Sequence, residues 1–181
     1  RGRREALERE QVRFRRTGQS FCVAIGDIDK FKGINDTYGH DIGDRVLAAT
    51  AAAISRGIRS FDEAFRMGGE EFLVCLKETG IDEGHRVIER LRLDLMASPI
   101  TLPDGRAVPV TISFGLVEAQ PELSVEELIV CADRALYQAK NAGRNRVIRY
   151  GAERPQPTLA TVRTMPGKPV SAKKAVPQGR R

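Results

Sequence analysis

The sequence predicts an α+β sandwich, one sheet with helices packed on it, on three observations. Phe21-Cys22-Val23-Ala24-Ile25 is a near-continuous apolar run, the pattern of a central strand buried on both faces. Arg66-Met67-Gly68-Gly69-Glu70-Glu71-Phe72 puts two glycines between the short segment Glu63-Ala64-Phe65 and the apolar run Phe72–Leu76, which reads as strand–turn–strand. The stretches between strands carry apolar residues at helical spacing, so helices and strands alternate around a hairpin.

Each element follows from local chemistry. Residues 3–16 are dense in Arg and Glu with Leu7, Val12 and Phe14 interspersed, and read as a solvated connector helix (residues 1–17) closed by Gly18. The central strand ends in Asp27-Ile28-Asp29. Lys30 to Gly43 reads as a polar loop, and a helix is expected from Asp44 with Leu47, Ala51, Ile54 and Ile58 on one face. Beyond the hairpin, Asp82 is expected to cap a helix that turns Ile88, Leu91 and Leu95 inward and stops at Pro99. Pro103-Asp104-Gly105 signals a turn, and Val108 to Val117 alternates as a single strand. Ser124-Val125-Glu126-Glu127 is a capping box for a helix lined by Leu128, Ala132, Ala135 and Ala139, with Gly143 placed to end it. Arg146 to Tyr150 is a short last strand.

Composition bounds the rest. The chain has 181 residues, 41% of them hydrophobic, enough for one compact domain with extensions. The formal charge is +6, but residues 151–181 hold seven basic residues against Glu153 alone, leaving 23 of each sign in residues 1–150. A neutral domain argues against a nucleic-acid face, and no nucleic-acid partner is expected. Five of the nine prolines lie in that tail, which reads as disordered. Cys22, Cys75 and Cys131 are far apart and form no Cys-x-x-Cys pair, so buried thiols in a reducing cytoplasm are expected. No apolar run approaches the ~18 residues of a membrane span. The abrupt charged start suggests a piece of a longer protein.

Two acids carry the functional reading. Asp27 ends the central strand, and Glu70 begins the second strand of the hairpin; if these strands are neighbours, both carboxylates project at one edge of the sheet. Such a pair suits Mg²⁺, a hard cation that takes oxygen ligands and completes its shell with water and phosphate. Taken alone, Asp27 reads first as an ordinary strand end, and the Gly-Gly turn with its acids as an ordinary hairpin. The segment after Asp27 offers amides and the ammonium groups of Lys30 and Lys32, while Asn35 and Asp44 offer polar edges that suit a base. Lys140 and Arg144 lie four apart at the end of the last helix, as phosphate ligands or simply as partners of the helix dipole.

Taken together, the residues resemble the GGDEF family of diguanylate cyclase catalytic domains over about residues 18–150. The matching motifs are Asp27-Ile28-Asp29-Lys30-Phe31-Lys32-Gly33-Ile34-Asn35-Asp36, Gly39-His40, Gly43-Asp44, Arg66 to Phe72, Thr111-Ile112-Ser113-Phe114-Gly115, Ala132 to Lys140 and Gly143-Arg144-Asn145. The resemblance implies a fold like nucleotidyl cyclases and polymerase palms: a ferredoxin-like, mostly antiparallel sheet flanked by helices. It implies a nucleotidyltransferase of bacterial signalling that condenses two GTP into the second messenger cyclic di-GMP and two pyrophosphates, two domains facing each other as a homodimer.

By position, the resemblance assigns Mg²⁺ (or Mn²⁺) to Asp27, Glu70 and the Ile28 carbonyl, and sets Glu71 beside the metals and the attacking hydroxyl, with Gly68 and Gly69 shaping the turn. Asn35 and Asp44 are implied to read guanine, with Asp44 favouring GTP on both sides. Lys140 and Arg144 are implied to hold the terminal phosphates, and Lys30, Phe31, Lys32 and His40 to line the substrate loop. Glu70 stands where the family name has Asp and keeps the carboxylate. Arg59-Ser60-Phe61-Asp62, with Arg90, resembles the family's inhibitory product site. The family's usual Leu-Thr-Gly-Leu-x-Asn-Arg lead-in is absent, and an upstream sensory domain is expected. The competing reading is a catalytically silent cyclic di-GMP receptor using Arg59, Asp62 and Arg90.

Overall fold

The computed structural model describes residues 2–102 and 104–151. The tail expected to be disordered therefore lies outside the described residues but for Gly151, and so does Pro103. The elements run α1 (Gly2–Thr17), β1 (Cys22–Ile28), α2 (Phe31–Tyr38), α3 (His40–Gly57), β2 (Glu63–Gly68), β3 (Glu71–Leu76), α4 (Ile81–Ala97), β4 (Ile100–Thr101), β5 (Ala107–Val108), β6 (Ile112–Glu118), α5 (Val125–Asn141) and β7 (Val147–Arg149).

The main sheet has the order β2-β3-β1-β6-β7, antiparallel except for the β6–β7 pair. β1 sits at its centre and is buried along its whole length, as its unbroken apolar run predicts. Alternate side chains feed two cores. Cys22, Ala24 and Ile28 pack with Val46, Ile54, Ile88, Leu91, Phe114 and Leu116 beneath α3 and α4. Val23 and Ile25 pack with Leu73, Cys75, Leu128 and Leu136 beneath α5. All three cysteines are buried and free, and burial pushes the Cys75 thiol up to about 12.

Four sequence expectations change. The polar loop from Lys30 to Gly43 is helical: α2 and the first turn of α3 occupy it, joined at Gly39. Phe31 and Ile34 lie three apart, and both are buried, which gives α2 an apolar face too short to stand out in the sequence. The single strand expected over Val108–Val117 is divided. Val108 belongs to a small hairpin with Ile100, because Pro109 has no N–H for the ladder, and β6 starts at Ile112. Asp82 does not cap α4. Gly80 is at the cap, and the Ile81 N–H donates to the Glu118 carboxylate at 3.0 Å, a cap supplied from β6.

The fourth change concerns α1, which is not merely solvated. Leu7 is fully buried, Phe14 meets Phe21 edge-to-face at 6.3 Å, and the Gln11 amide donates to the Leu123 carbonyl. The capping box at Ser124 forms as expected, with both reciprocal bonds to Glu127. Among the described residues, no helix is long and apolar enough to cross a membrane.

Candidate active site

The site lies at the end of β1. The ladder sets Asp27 directly opposite Glu71 of β3, and the Ile28 N–H donates to the Glu70 carbonyl at 3.3 Å. Directly opposed residues share a face, so Asp27 and Glu71 stand side by side, with Glu70 one residue further along at the turn. Asp27 is buried, and burial pushes its carboxyl above the usual carboxylate range. The nearby Lys140 ammonium pulls the other way, and the charges of Glu70 and Glu71 push further up. Glu70 and Glu71 therefore both act on Asp27.

Lys140 reaches this edge because of a glycine. A side chain at Gly115 of β6 would meet the Ala132 carbonyl oxygen at 2.0 Å and the Leu136 nitrogen at 2.2 Å. Only a bare backbone lets α5 lie this close to the sheet. The last turn of α5 then projects over β1, and Lys140 Nζ sits 2.9 Å from Asp27 Oδ2. The ammonium compensates the buried Asp27 carboxylate at this acidic edge. The carboxylates at this edge are oxygen donors, the chemistry that suits a hard divalent ion. Among the described residues, no group of three or more His, Cys, Asp or Glu side chains is placed to hold a metal ion.

The turn is held from outside the acids. Gly68 and Gly69 have φ of 153° and 51°, and the ladder shifts between Arg66 and Gly68. Arg66 donates from both Nε (3.0 Å) and Nη2 (2.7 Å) to the Gly69 carbonyl, and Arg3 of α1 donates to that of Met67. The sequence places Arg66 within its motif but gives it no task. A guanidinium folded back on a carbonyl three residues later leaves no mark in residue spacing.

The substrate-loop residues surround α2. Lys30 adopts a left-handed conformation (φ 55°) at the N-cap of α2 and makes no side-chain cap bond, so the first N–H groups of the helix keep their capacity for an anion. Phe31 is buried and Lys32 exposed. Asn35 lies against Gly43, where a side chain would meet Asn35 Oδ1 at 1.8 Å, and Asp44 follows, exposed, on α3. Asn35 and Asp44 are thus neighbours on facing helices. His40 opens α3 and is exposed. Arg144 rims a cavity of about 500 Å³ that Lys30, Ile34, Tyr38 and Val108 also line.

The remaining predicted residues form a separate group beyond β2. Both Asp62 oxygens accept backbone N–H groups, from Arg59 and Lys77, each at 3.0 Å, so this buried carboxylate staples the turn. Arg59 stacks over Phe61 at 5.7 Å and pairs with Glu83. Arg90 donates to the Gly57 carbonyl at 2.7 Å, which brings it to the same side as Arg59.

Comparison with known proteins fits this arrangement. The diguanylate cyclase GGDEF domain family matches residues 1–146. The chain is 40% identical over 141 residues to the diguanylate cyclase DosC of Escherichia coli, covering 78% of this chain and 31% of that protein. It is 44% identical over 133 residues to the response regulator PleD of Caulobacter vibrioides, covering 72% of this chain and 29% of PleD. The GGDEF domain of DgcB from Caulobacter crescentus, solved in complex with c-di-GMP, superposes with a TM-score of 0.79 at 32% identity, covering 82% of this chain and 86% of that one. The chain spans about a third of the length of these curated relatives. With its sheet, its acidic edge and its Gly-Gly turn in place, the chain belongs to the diguanylate cyclase GGDEF domain family.

Proposed function

We propose that this domain is a diguanylate cyclase, condensing two GTP into cyclic di-GMP and two pyrophosphates as a homodimer. The observation that carries this reading is the acidic edge itself. Asp27 stands opposite Glu71 on β1 and β3, Glu70 precedes Glu71 at the turn, and Lys140, from the helix implied to hold phosphate, is ion-paired with Asp27. Mg²⁺, held by Asp27, Glu70 and the Ile28 carbonyl, would when bound neutralise phosphate charge and orient in-line displacement.

The chain's own residues do the rest. Asn35 and Asp44 read the guanine edge, and the uncapped start of α2, with Lys30 and Lys32, receives phosphate oxygens. Lys140 leaves Asp27 for the terminal phosphates, and Arg144 joins it. The 3′-hydroxyl held by one domain attacks the α-phosphate held by its partner. Its proton passes to Glu71, a P–O bond forms, and pyrophosphate leaves with the pair from the breaking bond. Two such steps close the ring. The work is positioning and charge stabilisation, so no covalent nucleophile is needed.

Arg59 and Arg90 form the inhibitory clamp for product, with Asp62 holding the turn that aims Arg59. Their guanidinium forks suit phosphate and guanine edges. A sensory domain joined upstream would set how often two such domains meet.

GTP turnover with Mg²⁺ over a wide range of protein concentration tests the reading. Cyclic di-GMP formed with a steeper than linear dependence on protein, and abolished in Glu71→Ala, is the expected result. Absence of product at every concentration, with cyclic di-GMP still bound in an Arg59-dependent way, replaces it with the receptor reading.

A further inference from the structure

The turn after α5 carries Arg144, and it is unusual. Gly143, Arg144 and Asn145 have φ of 111°, 63° and 45°, three left-handed residues in a row, two of them with side chains. Side-chain-bearing residues persist there only when their surroundings hold them. Two buried ionic groups from other elements do so. The Asn145 N–H donates to Asp29 Oδ2 at 3.0 Å, and Arg92 Nη1 of α4 donates to Asn145 Oδ1 at 2.7 Å.

Both holders are themselves fixed. Asp29 also accepts from the hydroxyls of Thr111 (2.8 Å) and Ser113 (2.6 Å), which ties it to β6 two residues beyond Asp27. Arg92 is buried, and its Nε donates to Glu89 at 2.9 Å; that ion pair holds the Glu89 carboxyl below its usual range. Asn145 also donates its amide to the Met96 sulfur. The Arg144 N–H closes onto the Ala139 carbonyl, and its own carbonyl accepts from Arg146. Every one of these restraints falls on the backbone or on Asn145. Among the described residues the Arg144 guanidinium has no hydrogen-bond or ion-pair partner, and the residue is exposed at the cavity rim. The turn is held while its cation stays free.

We propose that Arg92 and Asp29 are positioning residues that, through Asn145, hold the Arg144 turn so that its guanidinium is preset for the terminal phosphates of the nucleotide. The inference rests on the cyclase reading for the identity of that ligand. Presetting a long side chain lowers the entropy lost on binding, and it does so only while the supporting shell is rigid. Arg92 lies two residues beyond Arg90 on α4, so the helix that carries the inhibitory arginine also carries the tether of the phosphate-binding turn.

The test uses the full chain with Mg²⁺ and two probes: GTP in steady-state kinetics and inorganic pyrophosphate in equilibrium binding. Arg92→Met removes the donors at similar volume. Asn145→Gly removes only the amide side chain, since glycine is at ease at this φ and keeps the N–H for Asp29. Both are expected to raise KM for GTP and weaken pyrophosphate binding about tenfold, the scale of one lost charge-assisted hydrogen bond. The double variant Arg92→Met/Arg144→Ala is expected to be no worse than Arg144→Ala, because Arg92 acts through Arg144. Wild-type affinities in Asn145→Gly overturn the proposal, as does a double variant whose losses multiply. If Arg92→Met does not fold, Asn145→Gly decides alone. A wild-type chain that binds pyrophosphate but makes no product defeats the cyclase reading and leaves this one standing.

Discussion

Lys140 Nζ lies 2.9 Å from Asp27 Oδ2, so a residue implied for phosphate and a residue implied for metal are ion-paired. Lysine is a flexible point charge, and under the proposed function it gives up this partner for the divalent ion and the triphosphate. The pair keeps a buried carboxylate compensated until then, and it makes several measurable consequences follow from one contact.

Asp27 is held at a cost. Burial disfavours its charge, and Glu70 and Glu71 add to that. Asp27→Asn is expected to leave stability near pH 7 within about 1 kcal/mol of the parent, on the more stable side, while removing turnover and any rise of Tm on adding Mg²⁺. Thermal scans with and without Mg²⁺ check this, and a large loss of Tm in the Asp27→Asn variant without Mg²⁺ contradicts it.

The same group sets a pH dependence. Its folded-state pKa is raised above its ordinary value of 3.8, so the folded chain holds this proton more tightly than the unfolded chain. The stability it contributes is fully present below 3.8 and is lost as pH rises through the raised folded value. A cation bound to the carboxylate acts in the opposite sense. The Tm increase produced by Mg²⁺ is therefore expected to grow across that window and to vanish below it, and to be flat with pH in Asp27→Asn.

Gly115→Ala tests how α5 reaches the site. The added carbon would lie 2.0 Å from a backbone oxygen of α5, and a backbone cannot step aside as a side chain can. A loss at or above the upper end of the usual overpacking range, about 3 kcal/mol, is expected, with turnover lost as Lys140 moves away. Gly33→Ala on α2 is the control, because a side chain there meets nothing within 4 Å. Its stability is expected to be unchanged or higher by about 0.5–1 kcal/mol. Denaturant midpoints of the two variants decide.

Arg66→Ala tests the turn. Both bonds from this exposed guanidinium go to the Gly69 carbonyl, next to Glu70. Global stability is expected to fall by less than about 1 kcal/mol, because the partners are solvated. Hydrogen exchange at Gly69 to Glu71 is expected to accelerate, and kcat to drop about tenfold as the carboxylates lose their aim. Unchanged exchange at these amides defeats the assignment of Arg66 as a clamp.

Residues adjacent in the chain determined much of this protein by themselves. The apolar run at Phe21–Ile25 was enough to place the central strand, Gly68-Gly69 the hairpin, and Ser124 to Glu127 the start of α5, because burial, turn geometry and capping act within a few residues. The acids at Asp27, Glu70 and Glu71 stood out at two expected strand ends, but the roles given to them came from the family resemblance and their adjacency from the pairing of β1 with β3. Only the tertiary structure decided that α2 is a helix, since its eight residues bury just Phe31 and Ile34 against distant partners. It also decided that Pro109 splits the expected strand, that Glu118 caps α4, and that Leu7 is buried. The tethers of the site belong to the same class: Arg66 on Gly69, Lys140 on Asp27, and Arg92 with Asp29 on Asn145. These are contacts of long, flexible or buried charged side chains, whose partners are chosen by packing rather than by spacing, and packing exists only once the chain has folded.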